Sequence, residues 1–229
     1  MTERLFITRK RKKWKFAHFD QWENCLQASD IAPAQWREYF PQQQSLVVEI
    51  GSGTADLSVA LAKLCQDRNY VAIDVKSDRL YKGAKIALTE KLTNIVFVRA
   101  QLRQLGALFE PGSIDELWIT FPDPFPRDKQ AKHRLTHPGF LWTYAGLLAP
   151  AGVLRFKTDN RELFLWSLEQ LVTEGWDLKE LCFDLHGSTL PEQYKNTTHY
   201  ERKFMAVGMP INYVSAMCGE VEEAPETAS

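Results

Sequence analysis

The sequence predicts an α/β fold in which a mostly parallel sheet is covered by helices on both faces. Three observations carry that reading. Short apolar, β-branched runs recur along the chain, segments with helical spacing separate them, and polar, glycine- or proline-rich stretches follow the runs. Runs that are apolar throughout suit strands buried on both faces. Strand–helix alternation joins such strands by crossovers into a parallel sheet.

The first strand of the regular pattern is Leu46-Val47-Val48-Glu49-Ile50, followed by Gly51-Ser52-Gly53 and a helix carrying Leu57, Ala60, Leu61 and Leu64. Val71-Ala72-Ile73 is a second strand and ends at Asp74. Ser77 is placed to N-cap the next helix, whose apolar side carries Leu80, Ala84, Ala87, Leu88 and Leu92. Ile95 to Val98 and Ile114 to Thr120 give the third and fourth strands. A helix over about 138–148 stops at Pro150-Ala151-Gly152, and Val153 to Lys157 is a fifth strand. Leu163, Phe164, Trp166, Leu168 and Leu171 mark one more helix, ending at Gly175. Trp176 to Leu185 and Lys203 to Val207 are read as the last two strands, which makes seven.

Outside this core, residues 1–44 read as a basic arm and a helical or irregular lead-in, 45–210 as the domain, and 211–229 as an acidic, flexible tail. Arg9 to Lys15 is almost entirely basic, whereas Glu220, Glu222, Glu223 and Glu226 carry the tail. The net charge of −1 therefore averages opposite ends, and the basic end favours a polyanionic partner or is merely a solvated arm. Trp14, Phe16 and Phe19 among the charges could stack on bases or pin the arm to the domain.

At 229 residues and 45% hydrophobic composition the chain suits one large domain. No apolar stretch approaches the roughly 20 residues that cross a bilayer, and no apolar run follows the basic N-terminus. The expectation is a cytoplasmic protein without a membrane association. Cys25, Cys65, Cys182 and Cys218 are scattered, and nothing completes a ligand set around His133 and His137, so no metal is expected. No obligatory protein partner is expected either, and monomer and homodimer stay open.

Ligands of parallel sheets bind beyond the carboxyl ends of the strands, and the polar features fall there. In Glu49-Ile50-Gly51-Ser52-Gly53-Thr54-Ala55-Asp56 the glycines permit a tight turn and close backbone approach. A dinucleotide fingerprint needs a third glycine so that pyrophosphate can sit on the helix N-terminus. Asp56 stands there instead. Acidic residues on both sides of the loop suit a ligand that carries an amine and no phosphate, as S-adenosylmethionine does. Asp74, 21 residues beyond Gly53, can accept ribose hydroxyls. Phe121-Pro122-Asp123-Pro124-Phe125-Pro126 is a stiff loop whose prolines fix φ and hold Asp123 extended. A carboxylate between flat aromatic faces suits the N1–H and 2-amino edge of guanine. Arg127, Lys129, Lys132, His133 and Arg134 follow directly, which gives phosphate-binding charge beside the loop or a solvated face.

The segments VEIGSGTADLS, ITFPDPFPRDKQAKHRLTHPGFL, LRFKTDNRELF, FDLHGSTLPE and THYERKF together resemble the bacterial tRNA (guanine-N7)-methyltransferases, over about residues 45–210. The resemblance implies a Rossmann-like class I methyltransferase fold, S-adenosylmethionine as cofactor and a variable-loop guanine of tRNA as substrate. It implies Glu49, Gly51, Gly53, Asp74, Gln101 and Asp123 at the cofactor. Asp123 would be the catalytic residue holding the guanine. Arg127, Asp159, Thr198, Tyr200 and Glu201 would lie on the substrate side, with Lys129, Lys132 and Arg134 on RNA. The family more usually has Glu at position 74, Asp or Asn at 101 and Trp at 125. Three rivals stand beside this reading: an adenine amino-methyltransferase, a nicotinamide dehydrogenase, and a tRNA-binding protein that has lost activity.

Overall fold

The computed structural model describes residues 18–33, 36–40, 42 and 44–219. The basic run at 9–15 and the acidic run after Gly219 lie outside them.

Eight strands form one sheet in the order β1-β4-β3-β2-β5-β6-β8-β7. They are β1 Cys25–Gln27, β2 Ser45–Ile50, β3 Arg68–Asp74, β4 Ile95–Arg99, β5 Ile114–Thr120, β6 Leu148–Thr158, β7 Trp176–Cys182 and β8 Asn212–Cys218. The pairings from β1 through β6 are parallel, and β8 runs antiparallel between β6 and β7. Seven α-helices with fully described bounds accompany the sheet. They are α1 Trp36–Tyr39, α2 Asp56–Leu64, α3 Ser77–Thr89, α4 Leu105–Leu108, α5 Pro138–Leu147, α6 Arg161–Thr173 and α7 His199–Met205. The central strands are buried on both faces. One core cluster holds Val48, Ile50, Val71, Ile73, Leu117 and Phe156, and the other holds Val47, Tyr70, Ala72, Phe97 and Trp118.

The topology corrects the sequence reading at both ends. The lead-in supplies the edge strand β1, and Ile31, Trp36 and Phe40 join the core, so the domain starts before residue 45. Phe19 is fully buried and Trp22 stacks on Tyr81, which favours pinning for Phe19 over base stacking. Residues 203–207 are not a strand. The stretch begins inside α7, because Thr198 caps that helix with a reciprocal bond to Glu201. The last strand is β8, inside the segment expected to be an acidic tail, and the domain therefore reaches Cys218. Ser77 does not cap α3 from outside. It is the buried first residue of the helix, and Lys76 stands at the cap.

Strand order reverses between β2 and β5, which are direct neighbours with Ile50 opposite Ile119. This is the switch point at which parallel sheets open a crevice. The glycine loop leaves β2 on one side of it, and the proline-rich loop leaves β5 on the other.

Candidate active site

Gly51 and Gly53 take φ of +65° and +58°, a region in which a Cβ is strained. The Gly53 amide donates to Asp74 Oδ2 at 2.9 Å and the Lys76 amide to Oδ1 at 2.8 Å. Asp74 thus ties the glycine loop to the end of β3. Burial pushes its carboxyl above the ordinary range, while the two amides pull it back. The loop also rests directly on α3. A Cβ at Gly83 would stand 2.7 Å from the Thr54 carbonyl oxygen and 2.9 Å from the Phe97 ring. Gly83 belongs to the site, and only its spacing from the loop in three dimensions reveals it.

Glu49 is 2% exposed. Its Oε2 accepts from the Ser58 amide at 3.2 Å and from the Ser58 hydroxyl, and its Oε1 accepts from Thr120 Oγ1 at 2.7 Å. Burial pushes its carboxyl upward, against those hydrogen bonds and the field of Lys157. Glu49 is therefore a bracket between β2, α2 and the end of β5.

The proline-rich loop is held at both ends. The Phe121 amide donates to the Lys157 carbonyl at 2.9 Å, on the neighbouring strand. The Phe125 carbonyl accepts two bonds from Arg134, from Nε at 3.2 Å and Nη2 at 3.0 Å. Between these anchors Phe121 and Phe125 take φ of +47° and +43°. Non-glycine residues in that region cost about 1–2 kcal/mol each, and such strain concentrates at functional sites. Prolines 122, 124 and 126 alone do not produce this shape. The two left-handed residues set the exposed Asp123 between them.

Two cavities meet at this loop. The larger, about 590 Å³, is lined by Asp74 and Asp123, by apolar Ile73, Val75, Ala100, Leu102 and Phe140, and by the ring of Phe125. The smaller, about 130 Å³, lies among Gly51 to Thr54, Asp56, Thr120 and Thr198. Gly51, Arg79, Phe121 and Asp123 border both. Ser52 Oγ is buried beside the smaller one with no protein partner.

Residues 43–213 match the family model Methyltransf_4, described as "Putative methyltransferase". The chain is 40% identical to the tRNA (guanine-N(7)-)-methyltransferase of Cytophaga hutchinsonii over 183 residues, 79% of this chain and 83% of that one. It belongs to the tRNA (guanine-N(7)-)-methyltransferase family. The family member from Clostridioides difficile is 35% identical over 90% of this chain and 96% of its own length. Among solved structures the 16S rRNA methyltransferase KamB superposes with a TM-score of 0.63 at 16% identity, covering 82% of this chain and 95% of that one. The 16S rRNA (adenine(1408)-N(1))-methyltransferase from Catenulisporales acidiphilia gives 0.61 at 16% identity, covering 83% and 95%. At such identity these two speak for the fold alone, that of class I methyltransferases.

Within this family member the expected residues divide. Gly51, Gly53, Asp74, Asp123 and Thr198 line the two cavities. Glu49 lines neither, because both its oxygens are engaged inside the protein. Gln101 is exposed and closes the turn over Leu102–Gln104. It lines a separate cavity of about 230 Å³ that meets the large one at Val75 and Ala100. Its neighbours Ala100 and Leu102 line the large cavity, Ala100 bordering both. Asp159 is half-buried at the end of β6 and lines neither cavity, and burial pushes its carboxyl upward. Glu201 is fully buried, so it offers no surface to a substrate. Tyr200 lies on α7, with its side chain outside the described residues.

Of the basic run, Arg127, Lys129 and Lys132 are exposed. Arg134 is the correction. It is 9% exposed, gives its guanidinium to the Phe125 carbonyl and lies 4.5 Å from the Trp166 ring centroid. Its charge is consumed in shaping the loop and is not presented to RNA. Residues that the sequence did not single out as site-forming include Arg79, Thr120, Leu135 and Phe140. They come from α3, the end of β5, the turn before α5 and α5 itself, and only folding brings them together.

Proposed function

We propose that this chain transfers a methyl group from S-adenosylmethionine to N7 of a variable-loop guanine in tRNA, in the cytoplasm. The observation that carries the reading is that Asp123 borders both cavities. One cavity is apolar with a carboxylate at its edge, and the other is small and ringed by polar groups.

The residues fit the cofactor. Ile73, Val75, Ala100, Leu102 and Phe140 suit an adenine ring, and Asp74 suits its ribose. Ser52 Oγ is a buried polar atom still lacking a partner, and the glycine loop has no third glycine to receive a pyrophosphate. S-adenosylmethionine, when bound, supplies an electrophilic methyl group. Everything else is asked of the protein's own side chains. Guanine N7 has an in-plane lone pair and loses no proton, so no general base is needed. Asp123 holds the guanine edge, and Phe121 and Phe125 frame its ring. Alignment at near-attack distance is the main source of rate, and carboxylates facing the purine stabilise its developing positive charge. Arg127, Lys129 and Lys132 take tRNA phosphates beside the mouth.

No helix of the described residues is long and apolar enough to cross a membrane. No group of three or more His, Cys, Asp or Glu that could hold a metal ion occurs among them. Replacing Asp123 by Ala tests the reading. Methyl transfer to tRNA should be abolished while cofactor binding, measured by titration, is largely kept. Near-normal turnover in that variant would overturn the central assignment.

A further inference from the structure

The carboxylate of Glu201, in the family motif, is buried and lines neither of the two cavities. Lys157, at the carboxyl end of β6, is also fully buried, and its ammonium donates to Glu201 Oε2 at 2.8 Å. It also donates to the carbonyls of Asn196 at 3.0 Å and Tyr194 at 3.3 Å. All three ammonium protons are used. Glu201 Oε2 additionally accepts the Thr198 amide at 3.0 Å, and Oε1 meets His186 Nε2 at 2.9 Å. One buried ion pair thus gathers the end of β6, the segment before α7, the cap of α7 and the loop carrying His186.

Lys157 also reaches the proline-rich loop. Its carbonyl accepts the Phe121 amide, and its ammonium lies 5.9 Å from the centre of the Phe121 ring. Phe204, from α7, stacks on Phe121 at 6.1 Å. Phe121 and Thr198 are both walls of the small cavity that Asp123 borders. Each is anchored, directly or through Glu201, to Lys157. A buried ion pair is weak as a source of stability, because apolar residues of similar volume usually serve as well. What it supplies is fixed geometry.

We propose that Lys157, Glu201 and His186 form a positioning clamp. By fixing Phe121 against Thr198 it sets the width of the small cavity and hence the placement of the target guanine. The proposal rests on the methyl-transfer reading of that cavity. Lys157 and Glu201 are fully buried and none of the three clamp residues lines either cavity, so they act as positioning residues and not catalytic ones.

The test uses the full chain and begins with the wild type, whose production of 7-methylguanosine in tRNA must be established first. If it makes none, the functional reading fails, and not the clamp. His186→Leu removes one partner of Glu201 from a side chain that is 19% exposed. His186→Gln keeps a donor, and Lys157→Met removes the cation. The measurements are the single-turnover methyl-transfer rate, the Kd values for cofactor and tRNA, and the melting temperature. For His186→Leu the expected result is a rate loss of about tenfold with both Kd values within about twofold, largely restored in His186→Gln. Folded Lys157→Met should lose more. A wild-type rate in His186→Leu overturns the clamp, as does a rate loss matched by an equal loss of cofactor affinity. If Lys157→Met does not fold, the His186 pair decides alone.

Discussion

Replacing Arg134 by Met should damage the enzyme through loop shape and leave its electrostatic attraction for RNA intact. The guanidinium makes two bonds to one carbonyl oxygen, at 3.2 and 3.0 Å, and stacks 4.5 Å from the centre of the Trp166 ring. A buried hydrogen bond from a charged donor contributes about 1.5–3 kcal/mol. A desolvated cation–π contact adds about 1 kcal/mol. Met recovers part of the packing, so a loss of about 3 kcal/mol of unfolding free energy is expected. Arg134 also offsets strain, because Phe125 sits at φ +43° one bond from the carbonyl it holds. Released, Phe125 can relax by about 1–2 kcal/mol toward an ordinary conformation, and Asp123 moves with it. Urea denaturation measures the first effect, and the methyl-transfer rate in native conditions measures the second. The salt dependence of tRNA affinity separates this role from phosphate binding. Its slope should stay at the wild-type value in Arg134→Met. Unchanged stability and rate together with a shallower salt slope would refute the reasoning and return Arg134 to the RNA surface.

Three further outcomes follow from the same geometry. Lys129→Ala and Lys132→Ala should leave stability alone and each reduce the salt slope of tRNA binding by about one, as read from affinities over a range of salt concentrations. Gly83→Ala should cost about 1–3 kcal/mol of stability and weaken cofactor affinity, because its Cβ would press the Thr54 carbonyl from 2.7 Å; denaturation and a cofactor titration check both. Burial holds the Asp74 carboxyl above its ordinary 3.8, and ribose hydroxyls are accepted best by the charged form. Cofactor affinity should therefore be full above that raised value and fall as pH drops through it, starting at a higher pH than an ordinary Asp would give. In Asp74→Asn the affinity should be weaker and this part of the profile flat, as shown by titrations across the acidic range.

The parallel core was legible because its signals are local. Leu46 to Val48 and Leu117 to Ile119 are apolar on both sides, and the helices between the strands keep a helical period. The ends were not legible for the same reason. Cys25 to Gln27 becomes a strand only because β4 offers it an edge. Asn212 to Cys218 is a strand because β6 and β7 leave a slot between them. The segment 203–207 looks strand-like in composition, yet the Thr198–Glu201 cap upstream starts a helix that runs into it. At the site, sequence located Gly51, Gly53, Asp74 and Asp123 where the cavities are. It could not tell a buried charge from a presented one. Glu49, Arg134 and Glu201 each carry charge in a motif, and in each case the charge is spent on another part of the protein. Phe121 and Phe125 were legible as aromatic faces, but their left-handed backbone was not, because a proline biases the residue before it toward an extended conformation and here both residues depart from that bias.

The central claim is that the cavity bordered by Asp123 methylates guanine N7 in tRNA. Incubation with methyl-labelled S-adenosylmethionine and unmodified tRNA, followed by nucleoside analysis, tests it most directly. Label is expected in 7-methylguanosine from the variable loop with the wild-type chain, and none with Asp123→Ala. Label in a methylated adenosine, or undiminished 7-methylguanosine from Asp123→Ala, would contradict it.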